Sequence, residues 1–245
     1  MTERHAATEE WRQIARGPRV LYHVLTWPGK DDWTEDEFYD VGRQDWEDFR
    51  SQWQHYAGDL SGTVLEIGCG AGRLTRQLAQ EFDNVVALDV SRDMIARADS
   101  VTPDNVEFHQ VEGTRVPLED GSVNAVFSVH VLQHLDDFAD VSAYVADAVR
   151  ALAPGGTLML HIALGNLEHG WFGRYGKLRV EWRLWRSRRR LKQGQEHFAV
   201  RYRLYDLEQV QHMLEALPLE RIELRMFPVR TNGYQHTFWL ATKRS

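Results

Sequence analysis

The chain has 245 residues, 43% of them hydrophobic and 27% charged, which is typical of a soluble globular protein. This length can bury the full core of one α/β domain. No apolar run approaches the roughly 18 residues that span a bilayer, and we expect no signal peptide and no membrane partner. One cysteine, Cys69, excludes an intramolecular disulfide, so we expect a cytoplasmic protein. The net charge of −7 argues against a general nucleic-acid binder, and we expect no DNA partner.

The amino-terminal part of the chain is predicted to be helical. A short helix is expected near residues 8–15, and Thr34 followed three residues later by Glu37 is a capping-box signature for a second helix. Aromatic side chains then recur every three or four residues, which indicates one face of a helix that ends at Gly58. These aromatic residues are Trp46, Phe49, Trp53 and Tyr56.

From Thr63 onward, strand and helix patterns alternate. Such alternation predicts parallel strands with right-handed crossovers and helices on both faces of the sheet. The chain ends with a helix and two strands joined by a turn at Asn232-Gly233. The predicted strands are 63–68, 85–90, 106–111, 123–129, 157–163, 219–227 and 236–243, and the predicted helices are 73–82, 92–99, 137–152 and 206–217.

A glycine-rich turn follows the first strand. Residues 64–72 read Val-Leu-Glu-Ile-Gly-Cys-Gly-Ala-Gly, an apolar strand followed by Gly68, Gly70 and Gly72. Glycine permits a positive φ and lets the backbone approach a ligand where a Cβ would collide. The next apolar run ends on Asp89, which is placed to accept hydrogen bonds from two ribose hydroxyls. Together these features predict binding of an adenosine-containing molecule.

Two side chains near the turn discriminate between adenosine cofactors. A dinucleotide fingerprint requires G-x-G-x-x-G, but position 73 is arginine and the pattern here is G-x-G-x-G. Glu66 places a carboxylate beside the turn, where it would repel a pyrophosphate and attract an ammonium group. S-adenosylmethionine (SAM) carries an amino acid on its ribose and no phosphate, so it fits both Glu66 and Asp89. A short-chain dehydrogenase is disfavoured, because no tyrosine is followed by lysine four residues later.

Four segments, in order, resemble motifs of the class I SAM-dependent methyltransferases. Residues 66–72 resemble the first motif of that family and residues 88–91 the second. Residues 117–126 resemble the turn and strand of the fourth motif, and residues 153–157 the turn before the fifth strand. The resemblance covers residues 36–165 and implies a Rossmann-like, doubly wound α/β sheet. Seven mostly parallel strands are expected, with the terminal strand antiparallel.

The resemblance also implies which residues bind SAM. Tyr39 and Arg43 would meet the methionine carboxylate, with packing of Tyr39 under the sheet as an equal alternative. The family usually has Gly-Asp-Ala after its third strand, where the Asp binds the adenine amino group. Here the sequence is Glu112-Gly113-Thr114, which leaves the adenine partner open between Thr114 and the backbone. The other implied contacts are Glu66, Gly68, Gly70, Gly72, Asp89, Val90, Met94, Gly113 and Val129.

Two histidines follow the fourth predicted strand. Residues 128–137 contain His130 and His134, and this segment resembles the Gln/His-His-x-x-Asp segment of natural-product sugar O-methyltransferases. The resemblance implies that His134 deprotonates the acceptor hydroxyl, and we also name His130 as a catalytic or cofactor-pocket residue. A helix-capping or cofactor-flanking role for His134, without proton transfer, is the alternative. The spacing of four could bind a metal, but the carboxylates of related ubiquinone-pathway enzymes are missing, so we predict no metal.

Four regions are expected along the chain. Residues 1–60 form a helical arm that caps the cofactor, and residues 61–164 form the SAM-binding core. Residues 165–200 form a basic, aromatic helical insertion, and residues 201–245 complete the sheet. Within the insertion, residues 174–192 carry a net charge of +8, which leaves −15 for the rest of the chain. The role of this helix is open between core packing, a lid over the acceptor, a homodimer contact and, least favoured, membrane-surface binding.

We therefore expect an enzyme that moves a methyl group from SAM to a hydroxyl of a small acceptor. A glycoside or an aromatic natural product is the preferred acceptor, and S-adenosylhomocysteine is the second product. Three alternatives belong to other classes. A protein methyltransferase would need an extended groove for a polypeptide chain, which this length scarcely provides. An RNA methyltransferase would hold phosphates on the basic helix, which predicts binding that weakens steeply with salt. A non-catalytic SAM-binding partner subunit would keep Glu66 and Asp89 but tolerate the loss of His134.

Overall fold

The computed structural model describes residues 6–25, 32–165, 202–229 and 235–245. Its strands are β1 (Thr63–Ile67), β2 (Asn84–Asp89), β3 (Val106–Gln110), β4 (Val123–Ser128), β5 (Leu152–His161), β6 (Leu219–Pro228) and β7 (Gln235–Lys243). They form one seven-stranded sheet in the order β3-β2-β1-β4-β5-β7-β6. Strands β1 to β5 pair in parallel, whereas β7 is antiparallel to both β5 and β6. The predicted fold class is confirmed.

The strand order reverses at β1, which lies between β2 and β4. At such a switch point the crossover connections leave in opposite directions, and a crevice opens at the carboxyl ends of the strands. The glycine turn after β1 and the segment after β4 both lie at this edge. The topology therefore places the two most informative sequence segments side by side.

Helices cover both faces of the sheet. They are α1 (Ala6–Ala15), α2 (Val20–Val24), α3 (Glu35–Ala57), α4 (Thr75–Glu81), α5 (Arg92–Asp99), α6 (Phe138–Ala151) and α7 (Leu207–Glu215), with a 3₁₀ turn at Leu132–His134. Buried side chains of α6 and α7 share one core cluster, and those of α3 and α4 share another on the opposite face. Among the described residues, no helix has the length and apolar character needed to cross a membrane.

Helix α3 has the predicted start and the predicted buried face. The Thr34 side chain accepts a hydrogen bond from the Glu37 backbone N–H, and the Glu37 carboxylate accepts one from the Thr34 N–H, so the capping box is complete. All four aromatic residues of the predicted face are buried. The Trp53 ring stacks on Phe127 with centroids 5.7 Å apart, and Trp53 Nε1 donates to Thr157 Oγ1 at 3.1 Å. This face of α3 is therefore part of the sheet core.

Replacing Thr34 with alanine should destabilise the protein by about 1 kcal/mol, because the amino end of α3 loses its side-chain acceptor. Thermal or urea unfolding measures the effect. Thr34→Ser is the matched control, since serine keeps the hydroxyl, and it should remain close to the wild type. Equal stability of the alanine variant would show that water replaces the cap at no cost.

The boundaries differ most at β5, which begins at Leu152 and not at residue 157. Its pairing with β4 shifts from Val123–Leu152 to Ala125–Thr157, so the intervening Pro-Gly-Gly turn bulges out of the ladder. Proline and glycine led to the prediction of a turn before the strand, whereas the backbone pairs on both sides of it. The Asn232-Gly233 turn lies outside the described residues.

Candidate active site

A cavity of about 490 Å³ opens at the carboxyl ends of β1, β2 and β4. This volume is in the range of small-molecule sites. Helix α1 contributes Ala7, Thr8 and Trp11 to its wall, and α6 contributes Asp140 and Tyr144. The cavity therefore lies between the switch point of the sheet and the helices α1 and α6.

The glycine turn forms the floor of the cavity. Gly68 has a φ of 77°, and a Cβ there would lie 2.2 Å from the Val131 side chain, so no larger residue fits. The backbone N–H of Gly68 donates to the Leu88 carbonyl at 2.7 Å, which ties the turn to β2. Gly70 has a φ of 52°, and a Cβ there would meet only Val24, at 3.9 Å. The backbone at Gly70 thus borders open space that a ligand can enter.

Gly72 has a packing role that Gly68 and Gly70 do not have. Its φ is 82°, but it does not line the cavity. A Cβ there would lie 2.9 Å from the Cα of Ala98 on α5. Gly72 therefore allows close packing of α5, and its approach to a ligand stays a prediction.

Asp89 ends β2 and lines the cavity beside this turn. Its Oδ2 accepts a hydrogen bond from the Gly70 N–H at 2.9 Å, and its Oδ1 accepts one from the Ser91 N–H at 2.8 Å. Burial raises the pKa of the carboxyl, and the backbone N–H groups oppose that shift. Because each carboxylate oxygen has two lone pairs, both can accept a further bond from a ligand hydroxyl. Asp89 therefore holds the turn and presents an acceptor to the cavity.

Glu66 supplies a second carboxyl to the same wall. The residue is only 3% exposed, and its Oε2 is buried with no hydrogen-bond partner among the described residues. Burial raises the pKa of Glu66 to about 7, and the neighbouring Asp89 charge adds to the rise. An unpartnered buried carboxylate oxygen is costly unless a ligand satisfies it. The site thus fits a cation with N–H donors.

His134 ends the 3₁₀ turn after β4 and lines the cavity. Its ring meets Trp11 of α1 edge-on, with centroids 5.2 Å apart. Gln133 Nε2 lies 3.4 Å from His134 Nε2. Helix α1 and the 3₁₀ turn therefore hold the imidazole in place at the cavity wall.

His130 also lines the cavity, but its ring packs with other histidines. Its φ is 58°, a left-handed conformation that is uncommon outside glycine. The ring centroid lies 4.6 Å from that of His161 and 5.0 Å from that of His236. His130 thus belongs to a three-histidine group that the sequence reasoning missed.

Tyr39 and Arg43 do not reach the cavity. The Tyr39 hydroxyl donates to the Ala71 carbonyl at 3.0 Å, so its ring lies against the glycine turn. Arg43 bonds to Asp40 at 2.8 Å and to Glu47 at 2.7 Å on the outer surface of α3. Neither residue lines the cavity, and the expected contact with a ligand carboxylate stays a prediction. Arg43 lies at the surface because the aromatic face of α3 packs against the sheet and Arg43 is not on that face.

The other predicted contacts lie at the cavity. They are Val90, Met94, Gly113, Thr114 and Val129. Their contact with a cofactor stays a prediction, and so does the choice between Thr114 and the backbone as the adenine partner.

Sequence reasoning missed several lining residues. Arg73 lines the cavity and forms a buried ion pair with Asp45 of α3. Asp140 and Tyr144 lie one helical turn apart on α6 and face the cavity together. The i, i+4 spacing of Asp140 and Tyr144 is visible in the sequence. The approach of Trp11 and Arg73 to the cavity depends on tertiary packing, so the sequence does not reveal it.

The basic insertion lies almost wholly outside the described residues, but the described residues next to it lie near His134. Leu164 forms a parallel bridge with Tyr205, and the Tyr205 hydroxyl donates to the Leu132 carbonyl at 2.9 Å. The Tyr202 ring lies 6.1 Å from His134. The chain therefore leaves and re-enters the sheet beside the candidate base, and the lid or dimer role stays a prediction.

Comparison with known proteins identifies the core. Residues 65–160 match the family model described as "Methyltransferase domain". The core is a class I methyltransferase domain. The predicted resemblance is thereby confirmed for this domain, in which β1 to β5 carry the matched motifs.

Curated relatives match the methyltransferase domain over part of their length. Phosphoethanolamine N-methyltransferase 1 of Triticum aestivum is 36% identical over 110 residues, which are 43% of this chain and 21% of the relative. Malonyl-[acyl-carrier protein] O-methyltransferase of Hahella chejuensis is 34% identical over 117 residues, which are 45% of this chain and 41% of the relative. This chain therefore spans less than half the length of either relative, and the two names differ in the atom that is methylated.

Solved structures share the fold of the methyltransferase domain and of the elements around it. Magnesium protoporphyrin IX methyltransferase from Synechocystis PCC 6803, solved with bound SAH, superposes with a TM-score of 0.60. The match covers 96% of this chain and 93% of that one at 20% sequence identity. At this identity the likeness establishes the shared fold.

Proposed function

We propose that this chain is a SAM-dependent methyltransferase that acts on a hydroxyl of a small molecule. The observation that carries the proposal is one cavity lined both by Glu66 and Asp89 and by His134. The two carboxyls suit the ammonium and ribose groups of SAM. The imidazole supplies a base in the same enclosed space. The family match supports the proposal for residues 65–160.

The residues of the cavity fit SAM at three points. Glu66 Oε2, which has no partner among the described residues, can accept from the ammonium group. Asp89 can accept from the ribose hydroxyls while it holds Gly70 and Ser91. Met94 is fully buried at the cavity wall and offers an apolar surface to adenine. When bound, SAM supplies a methyl group on a positively charged sulfur.

The chain has two tasks in the reaction. The first is to hold the acceptor oxygen in line with the methyl group, because positioning supplies most of the acceleration in such a transfer. The second is to remove the hydroxyl proton, which we assign to His134. A positioned imidazole contributes about 10²–10⁴-fold to such a step. Trp11, edge-on to the ring, restricts its orientation.

An acceptor screen tests the reaction class. The untagged full chain is incubated with SAM and with glycosides, phenols, small amines or a short RNA, and S-adenosylhomocysteine is quantified. We expect turnover with hydroxyl compounds. Turnover confined to amines, or to RNA with a steep loss of binding at higher salt, would overturn the hydroxyl assignment. Tight SAM binding without turnover of any acceptor would support the partner-subunit alternative.

The affinity for SAM should depend on pH through Glu66. Since the pKa of Glu66 is raised to about 7, the carboxyl is mostly neutral at pH 6, and binding the ammonium group requires it to lose a proton. Affinity should rise by up to about tenfold per pH unit towards pH 7. It should fall again above about pH 8, where the SAM amino group itself deprotonates. Calorimetry in buffers of different ionisation enthalpy measures both affinity and proton release.

Glu66→Gln is the matched control for this pH dependence. Glutamine keeps the shape and one acceptor but cannot titrate, so the rise between pH 6 and 7 should disappear. A wild-type affinity that is flat over this interval would show that Glu66 does not meet the ammonium group.

A further inference from the structure

Three histidines from three different strand ends meet beside the cavity. His161 is the last residue of β5, His236 is the second residue of β7, and His130 lies two residues after β4. Their ring centroids are 4.6, 5.0 and 5.2 Å apart. One nitrogen of each ring can be chosen so that all three atoms lie within 4.8 Å of one another. His161 is 3% exposed and His236 is 9% exposed.

The sheet brings these rings together by register. His161 is directly opposite Phe238 in the antiparallel β5–β7 pair, so His236, two residues away, lies diagonally opposite on the same face. His130 joins them because its left-handed backbone turns the chain at the end of β4. Long-range pairing, and not sequence spacing, therefore forms the group.

Hydrogen-bond contacts of these rings include Gln133 Nε2, which lies 3.4 Å from His130 Nδ1. His236 Nδ1 lies 3.3 Å from His161 Nε2, where one N–H···N bond can link two of the three rings. His161 Nδ1 is buried and has no hydrogen-bond partner among the described residues. This buried nitrogen is not the one that faces His236, so its lack of a partner is separate from the contact between the two rings. The close approach of His161 Nε2 and His236 Nδ1 is the contact that bears on a shared ligand.

We propose that His130, His161 and His236 bind one divalent transition-metal ion, with zinc as the first candidate. Zinc binds histidine nitrogen at about 2.0–2.1 Å, so two nitrogens of a tetrahedral site lie about 3.3–3.4 Å apart. The His161–His236 nitrogens are already 3.3 Å apart. The third nitrogen, on His130, lies within 4.8 Å of the other two. Three imidazoles favour zinc, copper or nickel over magnesium and calcium, which prefer oxygen ligands.

The electrostatic surroundings suit neutral imidazole ligands. Burial lowers the pKa of all three histidines, that of His161 to about 3, and their mutual repulsion when protonated adds to the shift for His130 and His161. Neutral imidazole is the form that binds a metal. The charge of buried Asp45 acts on His236 in the opposite sense and would stabilise a cation there. The Arg73 charge lowers the pKa of His130 and of His236, and Asp45 forms a buried ion pair with that guanidinium.

The site would have an open position next to the cavity. Three protein ligands are typical of zinc sites that keep a fourth position for water or substrate. His130 lines the cavity as well as the histidine group. The ion would therefore lie at the cavity wall.

Metal binding is tested directly on the untagged full chain after stripping with a chelator. Calorimetric titration with zinc chloride should give one ion per chain, and cobalt substitution should give the intense visible bands of tetrahedral coordination. His161→Gln and His236→Ala should each weaken zinc binding by at least about a hundredfold, since loss of an outer-shell partner alone costs 10–100-fold. His212→Ala, on the exposed face of α7, is the matched control and should bind as the wild type does.

X-ray absorption at the zinc edge provides a readout that needs no variant, and it should show three imidazole ligands. It keeps the test decisive if a buried variant fails to fold. The proposal is overturned if the stripped chain binds no zinc, cobalt, nickel or copper at one per chain, or if the two cluster variants bind zinc as tightly as His212→Ala. Because the probe is the metal alone, this outcome is independent of whether the chain transfers methyl groups.

Discussion

Replacing Asp89 with alanine is expected to weaken SAM binding by at least about 1.5 kcal/mol, which is more than tenfold in affinity. The carboxylate is the predicted acceptor for the ribose hydroxyls, and hydrogen bonds to a charged group are the stronger kind. Its removal also leaves the Gly70 and Ser91 N–H groups without their acceptor. The glycine turn would then be held less firmly in the conformation that the proposed ligand contacts need. Isothermal calorimetry with SAM and with S-adenosylhomocysteine measures the effect.

Two comparisons separate ligand contact from collapse of the turn. Asp89→Asn keeps one side-chain carbonyl and the shape, so it should fall between the alanine variant and the wild type. Thermal unfolding without ligand reports how much the turn itself contributes to stability. Tight binding of NAD by the wild-type chain, with no binding of SAM, would refute the cofactor assignment altogether.

Local patterns predicted most of the fold. Alternating apolar strands, the Thr34 cap and the aromatic face of α3 depend on neighbours within one or two helical turns, so the sequence displays them directly. The antiparallel terminal strands came from the family resemblance, and the β5–β7 pairing confirms them. The start of β5 was misplaced, because a Pro-Gly-Gly bulge inside a strand looks like the turn before one.

The candidate site could be predicted where its residues lie at strand ends that are close together in the sequence. The glycine turn and Asp89 lie at consecutive strand ends, and the structure places Gly68, Gly70 and Asp89 at one cavity. The histidine group was not predictable, since His161 and His236 are 75 residues apart and meet only through sheet register. Arg43 illustrates the opposite situation. Its sequence neighbourhood suggested a ligand contact, but Asp40 and Glu47 on the same helix face hold it at the surface.

Replacing His134 with alanine should lower turnover by about a hundredfold or more while SAM affinity stays nearly unchanged. The imidazole lines the cavity, whereas the predicted SAM contacts come from the turn and from β2. Without the base, the acceptor hydroxyl must lose its proton to water. The defect should therefore shrink at higher pH, where more of the acceptor is ionised. Initial rates of S-adenosylhomocysteine formation across the pH range, together with calorimetry for SAM, measure both quantities.

Two controls show whether the loss of turnover is specific to the His134 imidazole. His109→Ala removes a half-buried histidine on β3 that does not line the cavity, so it should keep wild-type turnover. Added imidazole should partly restore His134→Ala, because the truncation leaves room for it at the cavity wall, and it should not stimulate the wild type. Near-full activity of His134→Ala at every pH would show that the acceptor needs no base from this residue. The O-methyl assignment would then lose its main support, while the SAM site at Glu66 and Asp89 would stand.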